Sequence, residues 1–262
     1  MDEFASDRKR DALQAWLLDL ESRHRSELSF REVRRAVQAL SSLYVERRSR
    51  AAPGAAFGTA GKRAAYALFY GPLHYLTVQA IVRRLRGALP GAPRIVDLGC
   101  GTGAAGAAWA VESGREAAVE GIDRSEWAVG ETLRTLRALG VRGRARRGSI
   151  ERARLPGKGG AIVAGWAVNE LGEPARGRLL EGLLEAARAG ARVLVVEPIA
   201  KGVAPWWTEW SGAFRASSGR DDSWRFRVEL PEGLALLDRA AGLDHRELTA
   251  RSLALNLGGT AC

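Results

Sequence analysis

The stretch Val96-Asp97-Leu98-Gly99-Cys100-Gly101-Thr102-Gly103 constrains the fold more than any other feature of the chain. A short apolar run over 94–98 meets glycines at 99, 101 and 103, and an alanine-rich helical pattern opens near Gly103. Glycines in such a loop permit a tight turn, let the backbone approach a ligand, and let helix and strand pack closely. The N-terminus of the following helix leaves free N–H groups, which favour an anionic ligand group. A strand, a glycine turn and a helix in this order predict one crossover of a parallel sheet.

The rest of the chain extends that rhythm. Short apolar runs at 94–98, 117–122, 142–147, 161–166 and 192–197 alternate with helical patterns at about 103–113, 125–139 and 174–189. This alternation predicts an α/β sheet with crossover helices. The run at 142–147 has few apolar residues, because Arg142, Arg144, Arg146 and Arg147 occupy most of it. After Glu197-Pro198 come Trp206, Trp207, Trp210 and Trp224, a helical segment at about 231–241, and two short runs, 245–249 and 252–257, which fit a terminal pair of strands.

Residues 1–90 read as a helical N-terminal extension, and 91–262 as the main domain. Leu13, Trp16, Leu17 and Leu20 fall at helix spacing, with Asp11 near the start, and Val33, Val37, Leu40 and Leu43 share another helical face. The stretch 49–61 reads as a loop and 87–93 as a linker. Helical pattern over 63–70 meets Gly71-Pro72, where proline suits a first turn and disrupts an interior, so a new helix is expected to begin at Pro72.

Two acids narrow the ligand. Asp123 ends the second run, where a carboxylate can accept hydrogen bonds from ribose hydroxyls. Gly101-Thr102-Gly103-Ala104-Ala105-Gly106 also fits a dinucleotide loop by spacing. A carboxylate at Asp97 would repel a pyrophosphate, whereas it suits a ligand bearing an ammonium and a sulfonium.

At these residues the chain resembles the class I, Rossmann-like S-adenosylmethionine-dependent methyltransferases. The run 96–103 matches that family's first motif, and Val119-Glu120-Gly121-Ile122-Asp123 its second. Residues 161–171 match the fourth-strand motif, and 192–198 the fifth strand. The resemblance covers 94–200 and implies a seven-stranded sheet. It further implies S-adenosylmethionine as cofactor, held by Asp97, Gly99, Gly101, Gly103, Asp123, Ser149, Ile150 and Gly165. Where the family often has an acid for the adenine amino group, this chain reads Gly148-Ser149-Ile150. The Asn/Asp-Pro-Pro-aromatic signature of base amino methylation is absent, which argues against that acceptor chemistry.

A narrower resemblance, carried by residues 64–74, 168–171 and 196–198, is to methyltransferase-like proteins of small-ribosomal-subunit assembly. Those relatives bear a cysteine cluster for iron–sulfur binding. Here the only cysteines are Cys100 and Cys262, so no such role carries over and no metal is expected.

Methyl transfer is a displacement at an already activated carbon, so proximity and orientation can suffice. A base matters only when the acceptor must lose a proton, and Glu170, after the fourth strand, is the candidate, with Asn169 and Glu197 nearby. Tyr66, Tyr70 and His74 would share a face only if one helix ran through Pro72; packing is then the favoured role. The tryptophans at 206–224 fit a core better than a lid.

The net charge is +10, and lysine appears only at positions 9, 62, 158 and 201, so arginine carries the charge. Such a balance fits attraction to a polyanion, with ribosomal RNA or the small ribosomal subunit as the expected partner. A GC-rich genome that spells basic residues as arginine accounts for it equally well. No run of about 18 apolar residues occurs, so no membrane span is expected. The charged first residues lack the apolar core of a signal peptide, so a cytoplasmic location is expected. A small-molecule methyltransferase and a non-catalytic, cofactor-binding ribosome assembly factor remain the alternative functions.

Overall fold

A computed structural model of the protein describes residues 3–46, 57–86, 93–199 and 204–257. Residues 87–92 of the linker at 87–93, most of the loop at 49–61, and Cys262 lie outside the described residues.

Seven strands form one sheet: β1 (Arg94–Leu98), β2 (Ala118–Asp123), β3 (Gly143–Arg147), β4 (Ala161–Gly165), β5 (Arg192–Glu197), β6 (Arg220–Arg227) and β7 (Glu247–Leu255). Their order is β3-β2-β1-β4-β5-β7-β6. The first five are parallel, and β7 runs antiparallel between β5 and β6. The order reverses at β1, between its neighbours β2 and β4. In an open α/β sheet that switch point opens a crevice at the carboxyl ends of the strands.

Central strands are apolar on both faces because helices cover both. One face buries Ile95, Val119 and Val163 against α4 (Gly71–Arg84) and α5 (Ala104–Glu112). Trp16 of α1 (Glu3–His24) joins this core and packs on Tyr75 with ring centroids 5.4 Å apart. The opposite face buries Val96, Ile162 and Val195 against Leu179 and Leu183 of α7 (Glu173–Arg188), with Trp206, and Trp210 of α8 (Trp207–Ala216). A third cluster joins Val33 and Val37 of α2 (Phe30–Glu46) to Phe69 and to Leu237 of α9 (Glu232–Ala240). Trp206, Trp207 and Trp210 are therefore core residues.

Three local expectations change. The closing strands are not the pair 245–249 and 252–257; Glu247–Leu255 is one strand, and its partner is Arg220–Arg227. The partner is an edge strand with a largely polar face, so its apolar signal reduces to Trp224 and Phe226. The first helix starts at Glu3, well before Asp11. Finally, a new helix, α4, does begin at Gly71-Pro72, but the helical path is not broken there. The chain runs from α3 (Ala60–Ala65) through a π turn, Tyr66–Tyr70, into α4 with helical backbone angles throughout. Gly71 N–H donates to Tyr66 O, the wider i→i+5 closure. That closure takes Pro72 into the first turn of the next helix, where its missing N–H costs nothing.

Among the described residues no helix is long and apolar enough to cross a membrane.

Candidate cofactor site

The glycine loop turns as its sequence demands. Gly99, Gly101 and Gly103 have φ of 68°, 53° and 76°, a region costly for any side chain. The space is also closed. A Cβ on Gly99 would lie 2.5 Å from Ala167 Cβ, and one on Gly103 2.9 Å from Thr132 Cγ2. Gly103 is the N-cap of α5, so it sets the close contact of that helix with α6 (Glu126–Ala138). Gly71 serves the same loop from the other side, since a Cβ there would lie 2.9 Å from Thr102 Oγ1. The Gly71-Pro72 pair thus marks a close approach of the N-terminal helices to the loop.

A cleft opens where β1, β2 and β4 end. Gly99, Gly101, Asp123, Ile150, Gly165 and Glu170 line it, joined by Phe57, Tyr66, Arg124, Trp166, Ala167 and Leu171. Six sequence-predicted residues thus meet at one place. Asp97, Gly103 and Ser149 do not line it.

Asp97 is buried beneath α5, and its Oδ2 accepts from Gly106 N–H at 2.8 Å. Burial pushes its pKa up to about 7; the Gly106 bond opposes this, and the charge of Asp123 adds to it. Its position braces the loop against the helix. Asp123 faces the cleft. Its Oδ2 accepts from Gly101 N–H at 3.0 Å and its Oδ1 from Ser125 N–H at 2.8 Å. Burial raises its pKa, while backbone N–H groups of Ser125, Gly101 and Arg124 pull the other way. Ser149 Oγ donates to Glu151, which turns it from the cleft rim. Ile150 is buried and supplies an apolar wall. Glu170 is exposed at the end of the short turn Val168–Glu170.

Trp166 is the residue that sequence reasoning passed over. It follows Gly165 at the carboxyl end of β4 with φ of 56°, a left-handed conformation for a bulky side chain. Such strain costs roughly 1–3 kcal/mol and gathers at functional sites. Two contacts hold it: its N–H donates to Val196 O at 2.8 Å, and its ring stacks on His74 at 3.7 Å and 8°. Tyr66, Tyr70 and His74 share a face after all, with ring centroids 6.0–6.2 Å apart. Tyr66 reaches the loop itself, because a Cβ on Gly101 would lie 3.2 Å from its Oη. Beside the cleft, Asn169 Nδ2 donates to Glu197 Oε2 at 2.7 Å, and Trp206 Nε1 donates to Asn169 Oδ1 at 2.8 Å. Asn169 and Glu197 therefore tie the ends of β4 and β5 to the chain leading into α8.

Cys100 is buried, and Thr132 Oγ1 donates to its Sγ at 3.2 Å. No group of histidine, cysteine and acidic side chains suited to a metal occurs among the described residues.

No family model matches the chain, and no curated protein matches it by sequence. Solved structures do match. A candidate O-methyltransferase from Nostoc punctiforme is 12% identical with a TM-score of 0.53, the match covering 84% of this chain and 72% of that one. Magnesium protoporphyrin IX methyltransferase from Synechocystis, solved with bound S-adenosylhomocysteine, is 15% identical at a TM-score of 0.47, over 71% of this chain and 84% of that one. An S-adenosylmethionine-dependent methyltransferase from Aquifex aeolicus gives 15% and 0.47, over 70% and 90%. The chain has the Rossmann-like methyltransferase fold, a seven-stranded mixed sheet with a helical N-terminal region.

Proposed function

We propose that the protein binds S-adenosylmethionine in this cleft and transfers its methyl group, with RNA, foremost that of the small ribosomal subunit, as the acceptor. One observation carries the cofactor half: Asp123, the Gly99–Gly101 turn and Gly165 line a single cleft at the switch point of the sheet. The donor set fits that cofactor. A carboxylate at the end of β2 suits ribose hydroxyls, glycines leave backbone exposed to the methionine part, and Ile150 offers an apolar contact for adenine. When bound, the cofactor supplies a methyl group already activated on a sulfonium. The chain's part is then to orient and to exclude water, through Tyr66, Trp166 and Phe57 around the cleft. Glu170 lines the cleft at its rim, where it would orient the acceptor or take its proton.

RNA as acceptor is supported by the +10 charge and by the looser resemblance to ribosome assembly proteins. A small-molecule acceptor is favoured by one feature: the N-terminal helical region brings Phe57 and Tyr66 over the cleft, which narrows the entrance. Incubation with methyl-tritiated S-adenosylmethionine and small ribosomal subunits separates these readings. The expected result is label in the RNA fraction, reduced about 10²-fold in Glu170→Ala, the scale of a lost general base. Cofactor binding with no incorporation would make the protein an assembly factor, and label confined to small molecules would move the acceptor there.

A further inference from the structure

At the open edge of the sheet, β3 carries arginine where an edge strand ordinarily needs only an occasional charge. Arg144 and Arg146 lie opposite Glu120 and Ile122 of β2, and Arg147 lies opposite Asp123. Three guanidinium groups converge on the one carboxylate of Glu120. Arg94 Nη2 and Arg144 Nη2 both lie 2.8 Å from Oε2, and Arg146 Nε lies 3.1 Å from Oε1. Glu120 is itself buried. Burial alone would raise its pKa, but the bonds from Arg144 and Arg146 and the charge of Arg94 outweigh this and hold it low. It stays charged, and three cations on one anion leave a surplus of two. The arginine side chains face water, at 38% exposure for Arg94, 74% for Arg144 and 46% for Arg146. Arg142, also exposed, extends the row and donates to the backbone oxygen of Glu116. Besides Glu120, the acids beside the row are exposed Glu116 and half-buried Glu151, the latter engaged by Arg124 at 3.6 Å.

Blunting an edge against aggregation explains a charge or two. It does not explain a same-sign row in which Arg144 and Arg146 share one counter-ion with Arg94. We propose that this edge is an RNA-docking track, on which Arg142, Arg144 and Arg146 engage successive phosphates of a single strand. Alternate residues of a strand stand about 6.6 Å apart, comparable to successive phosphates of an extended nucleic-acid strand. Anchored guanidinium groups lose little freedom on binding and keep further N–H donors for oxyanions. A lipid surface fits poorly, since β3 offers no large apolar side chain to insert. The track ends at the cleft: Arg147 lies in register with the cofactor-facing Asp123, and Arg124 lines the cleft wall.

This inference rests on the RNA half of the proposed function and not on methyl transfer. The test is fluorescence anisotropy with a labelled, unstructured RNA oligomer over 50–200 mM salt, alongside titration with S-adenosylhomocysteine. R142E/R144E is expected to lower RNA affinity at least tenfold at about 100 mM salt and to reduce the log–log salt slope by about 1.4, two single-strand phosphates' worth. R142Q/R144Q, in which Arg94 and Arg146 still hold Glu120, should show a smaller loss and the same reduced slope. R84E/R178E changes the net charge equally at exposed sites elsewhere and should stay within twofold of wild type. All of these variants should bind S-adenosylhomocysteine as wild type does, so failure of the cofactor reading would show separately. Equal losses in R142E/R144E and R84E/R178E would overturn the proposal. So would a wild type that ignores RNA, or one that binds only phosphatidylglycerol vesicles or polyglutamate.

Discussion

Asp97 and Asp123 stand at the ends of neighbouring strands yet do different work. Asp123 faces the cleft, and Asp97 holds Gly106 N–H under the helix. Asp97 therefore has a pH signature of its own. Its folded pKa of about 7 lies above the ordinary carboxylate value, so the folded protein binds a proton more tightly than the unfolded chain. Stability from this group is complete below about pH 4 and is lost as pH rises through 7. Asp97→Asn keeps an oxygen for Gly106 and removes the titration. Urea unfolding at pH 5 and pH 8 should show wild type losing stability relative to Asp97→Asn as pH rises; a constant difference would show that Asp97 does not titrate there. The sequence disclosed both acids through their places at run ends. It did not disclose which one faces the cleft, because that depends on where α5 lies over β1. Trp166 stayed hidden for a similar reason: its ring stacks on His74, ninety-two positions away in sequence.

Beyond its apolar packing, α1 is tied to α6 by a buried acid. Glu131 of α6 accepts from Arg23 of α1 at 2.7 and 3.0 Å and lies 3.3 Å from His24 Nε2. Burial alone would raise its pKa; the hydrogen bonds from His24 and Arg23 and their charges outweigh it, bringing the carboxyl down to about 2. A depressed folded pKa gives stability that is present above the unfolded value, near 4.5, and is lost as pH falls through about 2. The shift corresponds to on the order of 3 kcal/mol. Glu131→Gln should be less stable than wild type at pH 7, and the gap should narrow on acidification. Urea unfolding at pH 7 and pH 3 measures it: the gap should narrow at pH 3 without vanishing, and an undiminished gap would rule the docking role out. Amphipathic spacing revealed helices on both sides of this contact, but nothing local pairs Arg23 with Glu131. The π turn was equally unreadable, since Gly71-Pro72 signals a break unless one knows that Thr102 sits against Gly71. The β3 edge was legible despite its arginines, because an edge strand need not be apolar on both faces.

For the whole molecule, the strand order reverses at β1, the glycine loop leaves β1 there, and Asp123 ends the adjacent β2. One cleft follows from these three facts, and the helical N-terminal region covers it with Phe57 and Tyr66. The sheet was largely readable from the alternation of runs. The antiparallel closure by β7 was not, because its partner β6 is polar and comes from the tryptophan segment. Whether this cleft is an S-adenosylmethionine site or a dinucleotide site is decided most directly by calorimetry. Wild type and Asp123→Ala are titrated with S-adenosylhomocysteine, and wild type with NADH. Wild type should bind S-adenosylhomocysteine and not NADH, and Asp123→Ala should weaken that binding by roughly 1–3 kcal/mol, as a lost buried hydrogen-bond partner. Binding of NADH in place of S-adenosylhomocysteine, or equal affinity in Asp123→Ala, would contradict the assignment.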